Sequence, residues 1–197
     1  YVGGVPILVI GLLSVVSGIA YTGGPYPLGY HGLGDLFVFL FFGVIAVMGT
    51  YYVQAAAVLA APLSTAIPPD TVTWLAFLAS LPVAALSTNI LVVNNIRDRE
   101  EDATTGKRTL AVRFGYRFSR LQFAGLAGLA YAVPVWLWLA EGFGLTVLLP
   151  LVTLPIAAVL IRTIWTKTSG AALNPALETT GKLLAVHALL FGIGLAV

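Results

Sequence analysis

The stretch TVTWLAFLASLPVAALSTNILVVNNI, residues 71–96, runs through 26 positions without a charged side chain, then breaks into Arg97-Asp98-Arg99-Glu100-Glu101-Asp102. A helix needs roughly 20 mostly apolar residues to cross the hydrocarbon core of a bilayer, and this run is long enough. Thr71–Ile96 therefore reads as a membrane span, and the charges that follow mark where it meets water.

Outward from this span the pattern recurs. Val2–Tyr21, Leu36–Ala61, Phe118–Ala140, Leu145–Thr166 and Glu178–Val197 are further apolar runs, the last opening on polar residues. Gly23-Gly24-Pro25-Tyr26-Pro27, Ile67-Pro68-Pro69-Asp70, Glu141-Gly142-Phe143-Gly144 and the segment from Gly170 to Pro175 separate them, and such clusters punctuate helices. Of the 197 residues, 59% are hydrophobic and 9% charged. Soluble domains carry about 25% charged residues, so these few charges do not coat a water-facing surface. The expected fold is all-α, a polytopic transmembrane helical bundle forming one membrane domain over 1–197.

The distribution of basic residues sets the orientation. Arg97, Arg99, Lys107, Arg108, Arg113, Arg117 and Arg120 lie between or just inside the third and fourth runs, and Arg162, Lys167 and Lys182 flank the turn between the fifth and sixth. These are all 10 of the chain's lysines and arginines, and both groups fall on one side if all six runs span. The connections around Asp70 and Glu141 hold none. Cytoplasmic loops carry the excess of lysine and arginine, which makes residues 97–117 a cytoplasmic loop of a multi-pass protein of the cell (inner or plasma) membrane. The net charge of +2 gives no reason to expect nucleic acid. The absence of cysteine excludes disulfides, thiolate metal sites and cysteine nucleophiles.

Chemistry concentrates where the third run ends. Asn94, Asp98 and Asp102 are spaced four apart, which on a continuing helix places them on one face, with Ser87 and Ser80 below. Neighbouring carboxylates at that spacing repel unless they share a cation, and magnesium takes one or two protein carboxylates together with phosphate oxygens. Lys107 and Arg108, beyond the Gly106 turn, add charge for an anion. The same spacing also fits a charged linker that merely ends a membrane helix.

The string Asn94-Asn95-Ile96-Arg97-Asp98, then Asp102, then Gly106-Lys107-Arg108-Thr109-Leu110-Ala111-Val112-Arg113 resembles the second aspartate-rich motif of the UbiA superfamily of intramembrane prenyltransferases. Tyr21-Thr22-Gly23-Gly24-Pro25-Tyr26-Pro27-Leu28-Gly29-Tyr30, Gly32-Leu33-Gly34-Asp35-Leu36 and Gly49-Thr50-Tyr51-Tyr52-Val53-Gln54 are similar to its branch that prenylates 1,4-dihydroxy-2-naphthoate in menaquinone synthesis. The resemblance implies nine membrane helices and a first aspartate-rich motif after the second of them. No such motif occurs among these residues, so the chain reads as N-terminally truncated, the C-terminal two-thirds of such a protein, with activity of the fragment alone in doubt.

The resemblance further implies transfer of a polyprenyl group from polyprenyl diphosphate to dihydroxynaphthoate with decarboxylation, giving demethylmenaquinone. Asp98 and Asp102 would be catalytic, holding Mg2+ with Asn94. Lys107, Arg108 and Arg97 would bind diphosphate, although Arg97 equally fits a lipid headgroup. Tyr21, Tyr30, Tyr51 and Gln54 are weaker candidates for an acceptor pocket. A different aromatic acceptor such as 4-hydroxybenzoate, or a non-catalytic transporter or membrane subunit, are the alternatives. His31 and His187 read as packing residues, and Glu178 and Lys182 as an i, i+4 ion pair.

Overall fold

The computed structural model describes residues 1–23, 26–59, 63–168 and 170–197. Its helices are α1 (Gly4–Thr22), α2 (Gly34–Leu59), α3 (Trp74–Arg97), α4 (Arg99–Thr104), α5 (Leu110–Ala140), α6 (Leu145–Thr166) and α7 (Gly170–Ala196). All except α4 are long and apolar enough to cross a membrane. No strand occurs among the described residues, and the chain is an all-α polytopic bundle.

Helix α3 is the centre of this bundle, packed against α2, α5 and α7. Of its most apolar stretch 67% is buried, against 6% for α1. The core gathers Leu86, Val92, Val93 and Ile96 of α3 with Phe123 and Ala130 of α5, Leu160 and Ile164 of α6, and Leu173 and Leu183 of α7. Lipid tails are as apolar as these side chains, so helices in a bilayer associate through close packing and hydrogen bonds rather than the hydrophobic effect. Both devices are present. Gly43 of α2 lies so close to Ala84 of α3 that no Cβ fits between them. Asn89 Nδ2 donates to the Phe123 carbonyl at 3.1 Å, and the Tyr131 and Thr153 hydroxyls meet at 2.7 Å. His187 is buried against Tyr131 and Phe191, a packing position as its sequence context suggested. Helix α1 stays peripheral, tied by Tyr52 Oη to the Gly3 carbonyl and by Val5 N–H to the Ser64 carbonyl, both at 2.9 Å.

The six spans match the apolar runs, with informative differences at their ends. Ala60 and Ala61, at the end of the second run, lie outside the described residues. Gly170 to Pro175, expected as a turn, is the first part of α7, so the sixth span starts earlier than Glu178. Pro175, the sixth residue of α7, forgoes the bond its N–H would make to the Ala171 carbonyl, a loss membrane helices bear where neighbouring groups re-satisfy the freed carbonyl. Glu178 and Lys182 form the i, i+4 ion pair at 2.6 Å on the exposed face of this helix. The segment 97–117, expected as a loop, is largely helical: α4 occupies its first part and α5 begins at Leu110. Thr109 caps α5 by accepting the Val112 N–H at 3.3 Å. Gly115, at φ 78° and ψ 178°, then kinks α5 before it enters the bundle.

Candidate diphosphate and metal site

Thr73 starts α3 by accepting the Ala76 N–H at 3.1 Å, and the helix runs to Arg97. Asp98, at φ −95° and ψ 5°, interrupts it, so the continuous helix expected through Asp102 is broken. The hydrogen-bond ladder nevertheless crosses the break. Asp98 N–H donates to the Asn94 carbonyl at 2.9 Å and Asp102 N–H to the Asp98 carbonyl at 2.8 Å. Asn94, Asp98 and Asp102 therefore follow one another at one-turn intervals. Gly106, with φ 78°, supplies the left-handed turn that closes α4, and Lys107 N–H reaches back to the Asp102 carbonyl at 3.0 Å.

The two carboxylates face different cations. Arg97 grips Asp98 with both ends of its fork, Nε to Oδ1 at 2.6 Å and Nη2 to Oδ2 at 2.7 Å. The same Nη2 donates to Asn94 Oδ1 at 2.8 Å, and Nη1 to Asn174 Oδ1 of α7 at 3.3 Å. Hydrogen bonding from Arg97, opposed by partial burial, holds the Asp98 carboxyl below the usual carboxylate range, with the Arg97 and Lys107 charges adding to it. Asp102 is only 6% exposed. Its Oδ1 accepts from Lys107 Nζ at 3.1 Å, while its buried Oδ2 has no hydrogen-bond partner. Among the described residues, no group of three or more His, Cys, Asp and Glu side chains is assembled to hold a metal ion. Arg108 is exposed, and Tyr116, which accepts the Arg99 charge on its ring at 4.6 Å, donates to Glu100 at 3.0 Å.

Below Asn94 a groove of about 440 Å³ opens, lined by Val38 and Phe42 of α2, Ser87, Ile90, Leu91 and Asn94 of α3, and Leu177 and Leu184 of α7. Ser87 and Asn94 thus share one groove, as their spacing suggested. Ser80 instead turns back onto its own helix, donating to the Phe77 carbonyl at 2.6 Å.

The segment between α1 and α2 lies against the motif. Gly24 and Pro25, part of the quoted string, lie outside the described residues. Arg108 N–H donates to the Tyr30 carbonyl at 2.8 Å, and a Cβ on Gly32 would sit 2.9 Å from the Arg108 carbonyl oxygen. His31 bonds the Pro27 carbonyl at 2.8 Å and stacks on Tyr26. Tyr21 lines a small cavity beside Lys107, whereas the Tyr30 ring is exposed. Tyr51 and Gln54 are not brought to this place. They follow Asp35 by four or more helical turns, roughly 24–28 Å along the axis at about 1.5 Å per residue, and Gln54 lines a separate crevice between α1 and α2.

Sequence reasoning assigned no role to Asp35, although it is an acid at the start of an apolar run. Such residues at membrane depth are functional candidates by default. It is 6% exposed and accepts from Gln122 Nε2 of α5 at 3.1 Å. Asn174, on the helix expected to begin after it, was also missed.

The pattern of the UbiA prenyltransferase family matches residues 1–185. A 1,4-dihydroxy-2-naphthoate octaprenyltransferase of Mycobacterium tuberculosis is 34% identical over 183 residues, covering 93% of this chain and 57% of that protein. One from Escherichia coli is 36% identical over 198 residues, covering 95% and 56%. The human UbiA prenyltransferase domain-containing protein 1 is 35% identical over 176 residues, covering 89% and 46%. The chain spans little more than half the length of the curated bacterial relatives it matches.

Proposed function

This chain belongs to the UbiA prenyltransferase family, and from that membership we propose that its parent protein moves a polyprenyl group from polyprenyl diphosphate to 1,4-dihydroxy-2-naphthoate, with loss of carbon dioxide and diphosphate. The observation that carries this reading is the groove of Ser87 and Asn94, apolar along its walls and reaching Asn94, which shares the Arg97 guanidinium with the Asp98 carboxylate. A prenyl diphosphate has the same division, a long apolar tail with a dianionic or trianionic head. The relatives named as dihydroxynaphthoate octaprenyltransferases support the choice of acceptor.

Magnesium suits the donor set, because it takes hard oxygen ligands and completes its shell with water and phosphate oxygens. Asp102 Oδ2, buried and unpartnered, is an oxygen open to a cation. Asp98 and Asn94 would join it once Arg97 turns from them toward the phosphates. Two protein carboxylates suffice for such a site, so a larger acidic cluster is not required. When bound, the ion supplies charge stabilisation to the departing diphosphate.

The chain's own residues do the rest. Lys107, Arg108 and the released Arg97 hold phosphate oxygens, Arg97 through its planar fork. The apolar walls exclude water that would quench an allylic cation. Tyr21 sits close enough to the motif to contact an acceptor, with Tyr30 a weaker member of that pocket, whereas Tyr51 and Gln54 lie too far along α2 to belong to it. The positive residues orient this end of the bundle toward the cytoplasm.

The test is a prenyl-transfer assay on the full-length parent in membranes, with dihydroxynaphthoate and a labelled polyprenyl diphosphate. Prenylated naphthoquinol that forms with Mg2+ and disappears with a chelator is expected. Transfer to 4-hydroxybenzoate in preference would change the acceptor, and no transfer to any aromatic would end the reading.

A further inference from the structure

Asp35 stands where an apolar helix begins, yet its carboxylate is only half used. Oδ1 accepts from Gln122, and Oδ2, buried, has no hydrogen bond from any described group. Beside it lies a small, partly open cavity whose lining includes Tyr21, Asp35, Asn95, Lys107 and Thr109, with about 20 Å³ open to the centre of a water-sized sphere. That is room for one water, which needs about 10–15 Å³ measured this way and two to four polar partners. The glycines around it are close-packed: a Cβ on Gly34 would sit 2.9 Å from the Tyr21 hydroxyl, and one on Gly29 about 3.0 Å from the same ring. The Tyr21 side chain is thus pressed against two glycines, which leaves it little room to shift.

Two features choose the occupant. Lys107 is among the residues lining the cavity, so a metal cation there would stand beside a positively charged residue. A buried carboxylate oxygen needs a hydrogen-bond donor, which disfavours an anion. A neutral donor that is also an acceptor satisfies both sides, and water is the species of that size. We infer that this cavity is a single-water site through which Asp35 holds Lys107, making Asp35 a positioning residue for the diphosphate-binding lysine.

Lys107 has three N–H donors. One is committed to Asp102 Oδ1 at 3.1 Å, and a second engaged by the Asp35 relay fixes the direction of the third. Asp35 also joins three elements at this point, since it bonds α5 through Gln122 and adjoins the Tyr21 segment. The inference rests on the proposed role of Lys107 in holding diphosphate.

Asp35→Asn tests it, because asparagine keeps the shape and can still accept from Gln122 while losing the charge. In the full-length parent, the rate of Lys107 acylation by a limiting amine reagent, followed by mass spectrometry, should rise at least threefold. KM for polyprenyl diphosphate should rise five- to tenfold with kcat changed less than twofold, and this effect should vanish in a Lys107→Met background. Tyr21→Phe, which keeps the ring and removes a hydroxyl from the cavity wall, should raise the acylation rate in the same direction and guards against a folding defect in Asp35→Asn. Acylation unchanged in both variants, a KM unmoved by Asp35→Asn, or a KM shift undiminished beside Lys107→Met would each overturn the inference. A wild-type parent that transfers no prenyl group while acylation still responds would defeat the proposed function and leave the Asp35–Lys107 coupling standing.

Discussion

Arg97 holds both carboxylate oxygens of Asp98, at 2.6 and 2.7 Å, and through the same nitrogen that takes Oδ2 it also holds Asn94 Oδ1 at 2.8 Å. Two of the three proposed metal ligands are thus occupied by one guanidinium. An exposed ion pair is worth about 0–1 kcal/mol, and this one is partly screened, with side chains 24% and 27% exposed. A doubly charged ion arriving with a diphosphate is well able to displace it. On the proposed function, Arg97 would be a placeholder that turns from carboxylates to phosphates as substrate binds.

If Asp98 acts in that way, removing it should cripple turnover rather than folding. In the full-length parent Asp98→Ala is expected to lower kcat at least a hundredfold, roughly 2.7 kcal/mol of transition-state stabilisation. Assays at saturating Mg2+ and both substrates read this directly, and unchanged turnover would remove Asp98 from the chemistry.

Arg97 gives a separable outcome. Arg97→Gln frees Asp98 and Asn94 but takes a phosphate ligand away. KM for the prenyl diphosphate should rise about tenfold, near 1.4 kcal/mol, without loss of apparent affinity for Mg2+. A titration showing weaker Mg2+ binding would assign Arg97 to ordering the metal ligands instead.

The Arg97–Asp98 bond also fixes a pH window. Because the Asp98 pKa is lowered in the folded chain, its stabilising contribution is fully present above the unfolded value of about 3.9 and is lost as pH falls through the folded value. No change from this pair is expected between about pH 5 and 8. Thermal midpoints of wild-type and Asp98→Asn protein in detergent should differ by a constant amount there and converge below about pH 4. A difference that already closes near pH 6 would mean another group governs the bond.

The sequence made the spans legible because bilayer thickness writes itself into run length: Leu145–Thr166 was read to the residue. It made the Asn94, Asp98 and Asp102 register legible because the ladder from 94 to 102 is local. What it concealed was tertiary or geometric. Nothing at Asp98 announces a broken helix, since aspartate in a charged segment is compatible with either state. The partner of a carboxylate depends on where neighbouring side chains turn, so the spacing revealed the stripe and not the Arg97 grip. Asp35 and Gln122 are 87 positions apart, beyond any periodicity. Pro175 misled because proline punctuates most soluble helices, whereas membrane helices carry it more often.

The α2–α3 contact offers a test of the architecture independent of chemistry. Gly43 meets Ala84 with no room for a side chain, while nothing lies near a Cβ placed on Gly125. Overpacking a close contact costs about 1–3 kcal/mol. Gly43→Val should therefore lower the thermal midpoint by several degrees or abolish folded yield, with Gly125→Val as the near-neutral comparison. Equal behaviour of the two variants would mean that α2 and α3 are not pressed together at this level.

The groove supplies the last test. Ser87 lies seven residues before Asn94 on the same helix, roughly 10 Å deeper into the membrane at about 1.5 Å per residue. A ligand whose head sits at Asn94 must pass Ser87 if its tail follows the groove between α2, α3 and α7. Ser87→Phe fills that passage without touching the carboxylates, Lys107 or Arg97. KM for a long polyprenyl diphosphate should then rise at least tenfold, while binding of inorganic diphosphate with Mg2+ stays within twofold of wild type. A comparison of donors with fewer and more five-carbon isoprene units sharpens this, since a short prenyl chain that ends near Ser87 should suffer less than a long one. If long and short donors lose affinity equally, the tail leaves the site by another route, and the walls of Val38, Phe42, Leu177 and Leu184 do not guide it.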